Sequence, residues 1–111
     1  MSPMSLSVLL EGCKGLSINE QRYNSEDYKE LVFYLADLSR WQEAFELRLG
    51  PAAKPAGVEP SAEQLRLTKN YGGIRSHQTL FVGQADGRHI QVMFWPWADK
   101  EHVTLKMAVY T

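Results

Sequence analysis

The residues best suited to chemistry lie in N-Y-G-G-I-R-S-H-Q at 70–78. Tyr71, Arg75, Ser76 and His77 offer a phenol, a guanidinium, a hydroxyl and an imidazole beside the accessible amides of Gly72 and Gly73, a set suited to a carboxylate or phosphate. A small-molecule or anion-binding site, with or without catalysis, is therefore one expectation for the connection at 72–77. Two facts weigh against it. The stretch follows a helix end, where partial negative charge repels anions. Ser76 and His77 are neighbours entering a strand, so they project to opposite faces, and no acid is indicated to orient them as a catalytic pair.

Metal and thiol chemistry is weaker still. His89 and His102 fall at opposite ends of one expected hairpin, which separates them too far for shared ligation. His102 with Asp99 or Glu101 is read as a solvated turn, so no metal site and no cofactor are expected. Cys13 is the single cysteine, which excludes an internal disulfide, and its place between glycines reads as a turn with an exposed thiol. The acids of the central segment, Asp37, Glu43 and Glu46, alternate with Arg40 and Arg48 as a solvated helix face does.

A second group of residues poses a different question. At 92–97 the chain reads V-M-F-W-P-W, more aromatic surface than one face of a strand can place in a core. Strand pleating puts alternate residues on opposite faces. If the first hairpin of this region closes through Ala85-Asp86-Gly87 with a glycine bulge, Leu80 and Val82 face the helices. Phe81 then joins Met93, Trp95 and Trp97 on the other face. Rings of this size bury about 150–250 Å² each, so leaving them wet would forgo stabilisation on the order of 10 kcal/mol. Something is expected to cover them: the chain's own N-terminal strand or helix, a protein partner or a second copy of the chain, or a single-stranded nucleic acid stacking on the rings. The leading expectation is a small non-enzymatic protein that works by protein–protein contact and self-associates through this face.

The elements that must position these residues follow from pattern. Residues 5–10 alternate as a half-buried strand, with E-G-C-K-G as a turn and 16–18 as a return arm. Asn24-Ser25-Glu26-Asp27 reads as a helix start. Leu31, Leu35, Leu38, Phe45 and Leu49 recur at helical spacing, giving one long helix closed by Gly50-Pro51 or two helices meeting near Ser39. G-P-A-A-K-P-A-G-V-E-P at 50–60 is a loop, and Ser61-Ala62-Glu63-Gln64 is a capping box opening a short helix that Gly72-Gly73 closes. Strands near 78–84, 89–97 and 102–110 form an antiparallel meander in which Phe94 faces Leu105, Val92 faces Met107 and Ile90 faces Val109. The expected fold is α+β, one two-layer domain spanning 1–111, with helices on a three-stranded sheet.

The totals bound the partners. With 111 residues, 44% hydrophobic and 23% charged, the chain has the composition of a globular domain. A formal charge of −1 supplies no field for duplex nucleic acid or an anionic membrane. No apolar run is long enough for a membrane-spanning helix, and the start lacks a positive signal region, so a cytoplasmic location is expected.

Overall fold

The computed structural model describes residues 5–85 and 87–110. Its centre is a five-stranded antiparallel sheet made of β1 (Glu20–Asn24), β2 (Tyr28–Tyr34), β3 (Thr79–Ala85), β4 (Arg88–Pro96) and β5 (His102–Tyr110), in the order β1-β2-β5-β4-β3. Two helices, α1 (Leu6–Glu11) and α2 (Leu38–Leu49), share one core with the first face of the sheet. A short helix, α3 (Ala62–Thr68), and the 3-10 turn Lys69–Tyr71 that extends it lie against part of the second face. The α+β two-layer class holds, with five strands rather than three.

The C-terminal meander is as its alternation dictates. Phe94 pairs with Leu105, Val92 with Met107 and Ile90 with Val109. All six point into the helical core. The capping box also forms: Ser61 Oγ accepts from the Gln64 amide, and Gln64 Oε1 accepts from the Ser61 amide. Gly72, at φ +98°, supplies the left-handed residue that ends this segment.

Four expectations are corrected. The N-terminus is helical, not a strand: Ser5 caps α1 through its hydroxyl, and Leu6 and Leu9, three apart, are the residues it buries. Cys13, following that helix, is buried rather than exposed, and burial pushes its thiol up to about 11. The segment before Leu38 is a hairpin rather than half of a long helix. Its cap signature is the hairpin turn, in which Ser25 Oγ accepts from the Tyr28 amide and its hydroxyl donates to the Tyr28 carbonyl. Leu31 and Leu35 are four apart as on a helix, but Leu31 and Phe33 are two apart as on a strand, and pairing with Leu105 and Val103 selects the second period. Helix α2 then begins after Asp37, not at Ser39, and buries Trp41 and Phe45.

The fourth correction moves an aromatic ring across the sheet. Ala85 pairs with Arg88, so the turn is the tight two-residue form and carries no bulge; Asp86 itself lies outside the described residues. Gly87, at φ +75°, has the left-handed backbone such a turn uses. The register then sets Phe81 opposite Val92, on the helical face. There it meets Phe45 and Phe94 at ring centroid distances of 6.1 and 5.6 Å. Leu80, expected among the helix-facing residues, instead sits with Met93 and Ile74 on the second face.

Candidate binding surface

What covers the second face is the chain itself, in two ways. Over β3 and β4 the cover is the segment 67–74. The Gln91 side chain donates to the Leu67 carbonyl at 3.0 Å, and Ile74, Leu80 and Met93 form a small second core edged by Tyr71 and Trp95. Phe81 and Met93 are 0% and 1% exposed, so neither is available to a partner, and the expected four-residue aromatic surface does not form.

Toward β2 and β5 the cover is Tyr71, which meets Tyr28 and Tyr110, together with long side chains. Lys106 places its ammonium 3.5 Å from the centre of a Trp95 ring and donates to the Tyr71 carbonyl at 3.1 Å. Arg22 sits 5.2 Å over Trp97, whose indole N–H donates to Thr104 Oγ1 at 2.7 Å. Glu30, opposite Lys106 in the strand register, lies 3.7 Å from the Arg22 guanidinium and accepts the Tyr28 hydroxyl at 2.7 Å. Each indole thus carries a cation on its face. Both tryptophans are half-buried as a result. Burial lowers the proton affinity of Lys106, and Glu30 opposes the shift. Burial, with the Glu30 hydrogen bond, holds the Tyr28 phenol protonated above its ordinary range.

Gly72 makes this layer possible. A Cβ placed there would come within 2.4 Å of the Trp95 ring and 3.0 Å of Lys106 Nζ, and the backbone is in the left-handed region besides. Gly72→Ala is expected to lower stability by about 2 kcal/mol, read as a shift of the urea midpoint without change of slope. Gly73→Ala, also at positive φ but with nothing within 4 Å of its Cβ, should cost less. Equal losses at the two positions would show that the contact with Trp95 contributes nothing.

The open part of this face is a cleft of about 630 Å³ bordered by Tyr23, Ser25, Asp27, Tyr28, Asn70, Tyr71 and Lys106. It starts a row of rings across the sheet. Tyr23 to Tyr28 spans 5.6 Å, Tyr28 to Tyr71 5.9 Å, Tyr71 to Tyr110 6.3 Å, and Tyr110 to His89 5.3 Å. Tyr23 is the most open of these rings, 56% exposed. Of the anion-site candidates at 71–77, only Tyr71 borders this cleft. Arg75 and His77 are exposed, and the Ser76 carbonyl is occupied by the Gly57 amide and the Lys54 ammonium. Tyr23 and Tyr28 carry no site signal in the sequence, because Asn24 to Asp27 between them reads equally well as a helix start.

Asp99, Glu101 and His102 bring three donor atoms within 4.8 Å of one another. Asp99 is already committed, with Oδ1 accepting from the Glu101 and His102 amides and Oδ2 lying 2.6 Å from His102 Nδ1. Those bonds hold its carboxyl below the usual range and close the β4–β5 turn.

Comparison with family models, curated proteins and solved structures yields no match, so the geometry alone carries the functional reading.

Proposed function

We propose that this protein is a non-enzymatic contact module whose recognition surface for a protein partner is the tyrosine-lined cleft on the uncovered half of the sheet. The observation that carries the reading is the row of rings opening at Tyr23. Tyrosine supplies large, rigid contact area at low entropic cost and keeps a hydroxyl for a hydrogen bond, the combination that protein recognition surfaces favour. Asp27, Asn70 and Lys106 add polar groups of both kinds beside the rings. The surface replaces the Phe81 and Met93 side, whose residues are in the core.

The test uses Tyr23→Ser with Asn70→Arg, two exposed positions whose change leaves the packing intact. Circular dichroism and melting temperature should match the parent chain, while protein retained from a lysate of the native host falls by on the order of tenfold, equivalent to about 1.4 kcal/mol. Unchanged retention by the folded variant would exclude the cleft. A second reading has one observation in its favour: rings about 6 Å apart flanked by Lys106 and Arg88 form a platform on which bases of a single strand stack. Retention of a labelled oligonucleotide at low salt, lost in Tyr23→Ser alone, would select that reading.

A further inference from the structure

A groove at the other end of the ring row from Tyr23 holds chemistry that the tyrosine cleft does not use. Helix α3 forms one wall: Glu63 and Leu67 are one turn apart, so they share the face that borders the groove. The capping box fixes the start of that turn, and the Gln91 side chain holds the Leu67 carbonyl at 3.0 Å. Val82, Gln84, His89 and Tyr110 supply strand walls. The space, about 260 Å³, equals the liquid share of roughly nine waters, room for a group the size of an arginine side chain.

Charge, shape and hydrogen bonding together define what fits. Among the described residues Glu63 brings the groove's one fixed charge, and it has no ion-pair partner. Arg88, next to His89 in sequence, is engaged with Asp27 at 2.8 Å. The shape is set by a flat aromatic wall, since the His89 and Tyr110 rings lie 5.3 Å apart with planes 27° from parallel. The Gln84 amide nitrogen sits 3.3 Å from His89 Nδ1. An amide nitrogen only donates, so in this bond Nδ1 is the acceptor and the imidazole carries no charge to offset Glu63. Acceptors are in surplus. Gln84 Oε1 has no partner among the described residues once its nitrogen is spent on His89. The Leu80 carbonyl looks outward to the Lys54 amide, and by strand alternation the Val82 and Gln84 carbonyls look outward as well, with no backbone partner among the described residues.

We propose that this groove binds a guanidinium group on a short aliphatic stem. The head pairs with the Glu63 carboxylate and lies against the Tyr110 and His89 rings. Its other N–H groups reach Gln84 Oε1 and the edge carbonyls, and the stem runs past Leu67 and Val82. A guanidinium fits better than an ammonium because it is planar, weakly hydrated and carries five donors, which match a flat wall and scattered acceptors. The unpaired carboxylate disfavours an anion. A free guanidino compound and an arginine side chain of a polypeptide offer the same chemistry, and two probes separate them. The site is independent of the tyrosine cleft, with which it shares no lining residue.

Titration of the isotope-labelled full chain, followed by nuclear magnetic resonance, decides it. The probes are butylguanidinium and the capped tripeptide Gly-Arg-Gly, with butylurea as an uncharged control of similar shape. Saturable shifts of the Gln84 side-chain amide and the His89 ring are expected in the millimolar range with a guanidinium probe, and none with butylurea. Binding of the tripeptide tighter by on the order of tenfold identifies a polypeptide arginine as the ligand, and tighter binding of butylguanidinium identifies a free guanidino compound. Glu63→Gln, at an exposed position outside the capping-box pair, should keep the parent's circular dichroism and weaken binding by on the order of tenfold. Tyr23→Ser should leave it unchanged, which separates this groove from the cleft. No saturable shift with either probe, equal shifts with butylurea, or parental affinity in folded Glu63→Gln would overturn the proposal.

Discussion

Replacing Trp41 by alanine is expected to remove about 3–5 kcal/mol of stability, enough to lower the melting temperature by roughly 15 °C in a domain of this size. The indole is 0% exposed and stacks on Phe33 at 4.7 Å with planes 16° apart. Phe33 in turn meets Phe94 edge-on at 5.5 Å, and Phe94 touches Phe45 at 5.8 Å. Truncation empties one end of a continuous aromatic cluster that joins α2 to β2, β3 and β4, and the rigid sheet beneath has little freedom to collapse into the gap. The indole N–H has no hydrogen-bond partner, so Trp41→Phe should lose far less. A urea titration of both variants checks the pair. An alanine variant within about 1 kcal/mol of the parent would show that the site relaxes or that the stack contributes little.

The second large effect concerns a lysine. Lys54 is 1% exposed, and its ammonium donates to the carbonyls of Pro55, Ser76 and Gln78 at 2.8, 3.0 and 2.6 Å. One side chain thereby ties the 50–60 loop to the segment that leads into β3. Burial lowers the proton affinity of the amine, and Glu59 opposes that shift. Lys54→Met keeps the length of the stem but leaves the Gln78 carbonyl without its donor and takes one of two donors from the Pro55 and Ser76 carbonyls, which keep the Val58 and Gly57 amides. The expected cost is about 3 kcal/mol, since each unsatisfied buried group costs about 1–3 kcal/mol and water reaches part of the site once the loop loosens. Amide exchange at Leu80, whose N–H bonds the Lys54 carbonyl, should accelerate beyond what the global loss explains. A methionine variant as stable as the parent, with Leu80 protection unchanged, would show that the three hydrogen bonds do not hold this loop.

Neither Trp41 nor Lys54 stands out in the chain. Trp41 follows an apparent capping signal, and Lys54 lies in a proline-rich loop where a lysine is ordinarily solvated. The legible parts were those fixed by short-range pattern: the meander, its register between β4 and β5, the capping box at Ser61 and the glycine that closes the segment after it. These depend on residues within a turn or a hairpin of one another. In the first forty residues the local signals conflict. Asn24 to Asp27 can cap a helix or close a hairpin, and Leu31, Phe33 and Leu35 satisfy both periods. The candidate surface suffered from the same ambiguity. One residue of difference in the β3–β4 turn carried Phe81 from the outer face into the core, since side chains alternate faces along a strand.

By itself, then, the amino-acid order determined the class of fold, the antiparallel strands of the C-terminal third, and the need for a cover over the aromatic residues at 92–97. Tertiary structure decided that β2 pairs with β5 rather than coiling, that 67–74 and two cations supply the cover, and that the open surface belongs to tyrosines from both ends of the chain. The physical reason is range. Caps, turns and alternation are set by neighbours in sequence, whereas the choice between strand and helix at 28–34, and the meeting of Tyr28 with Tyr71, depend on partners that only the closed sheet brings within reach.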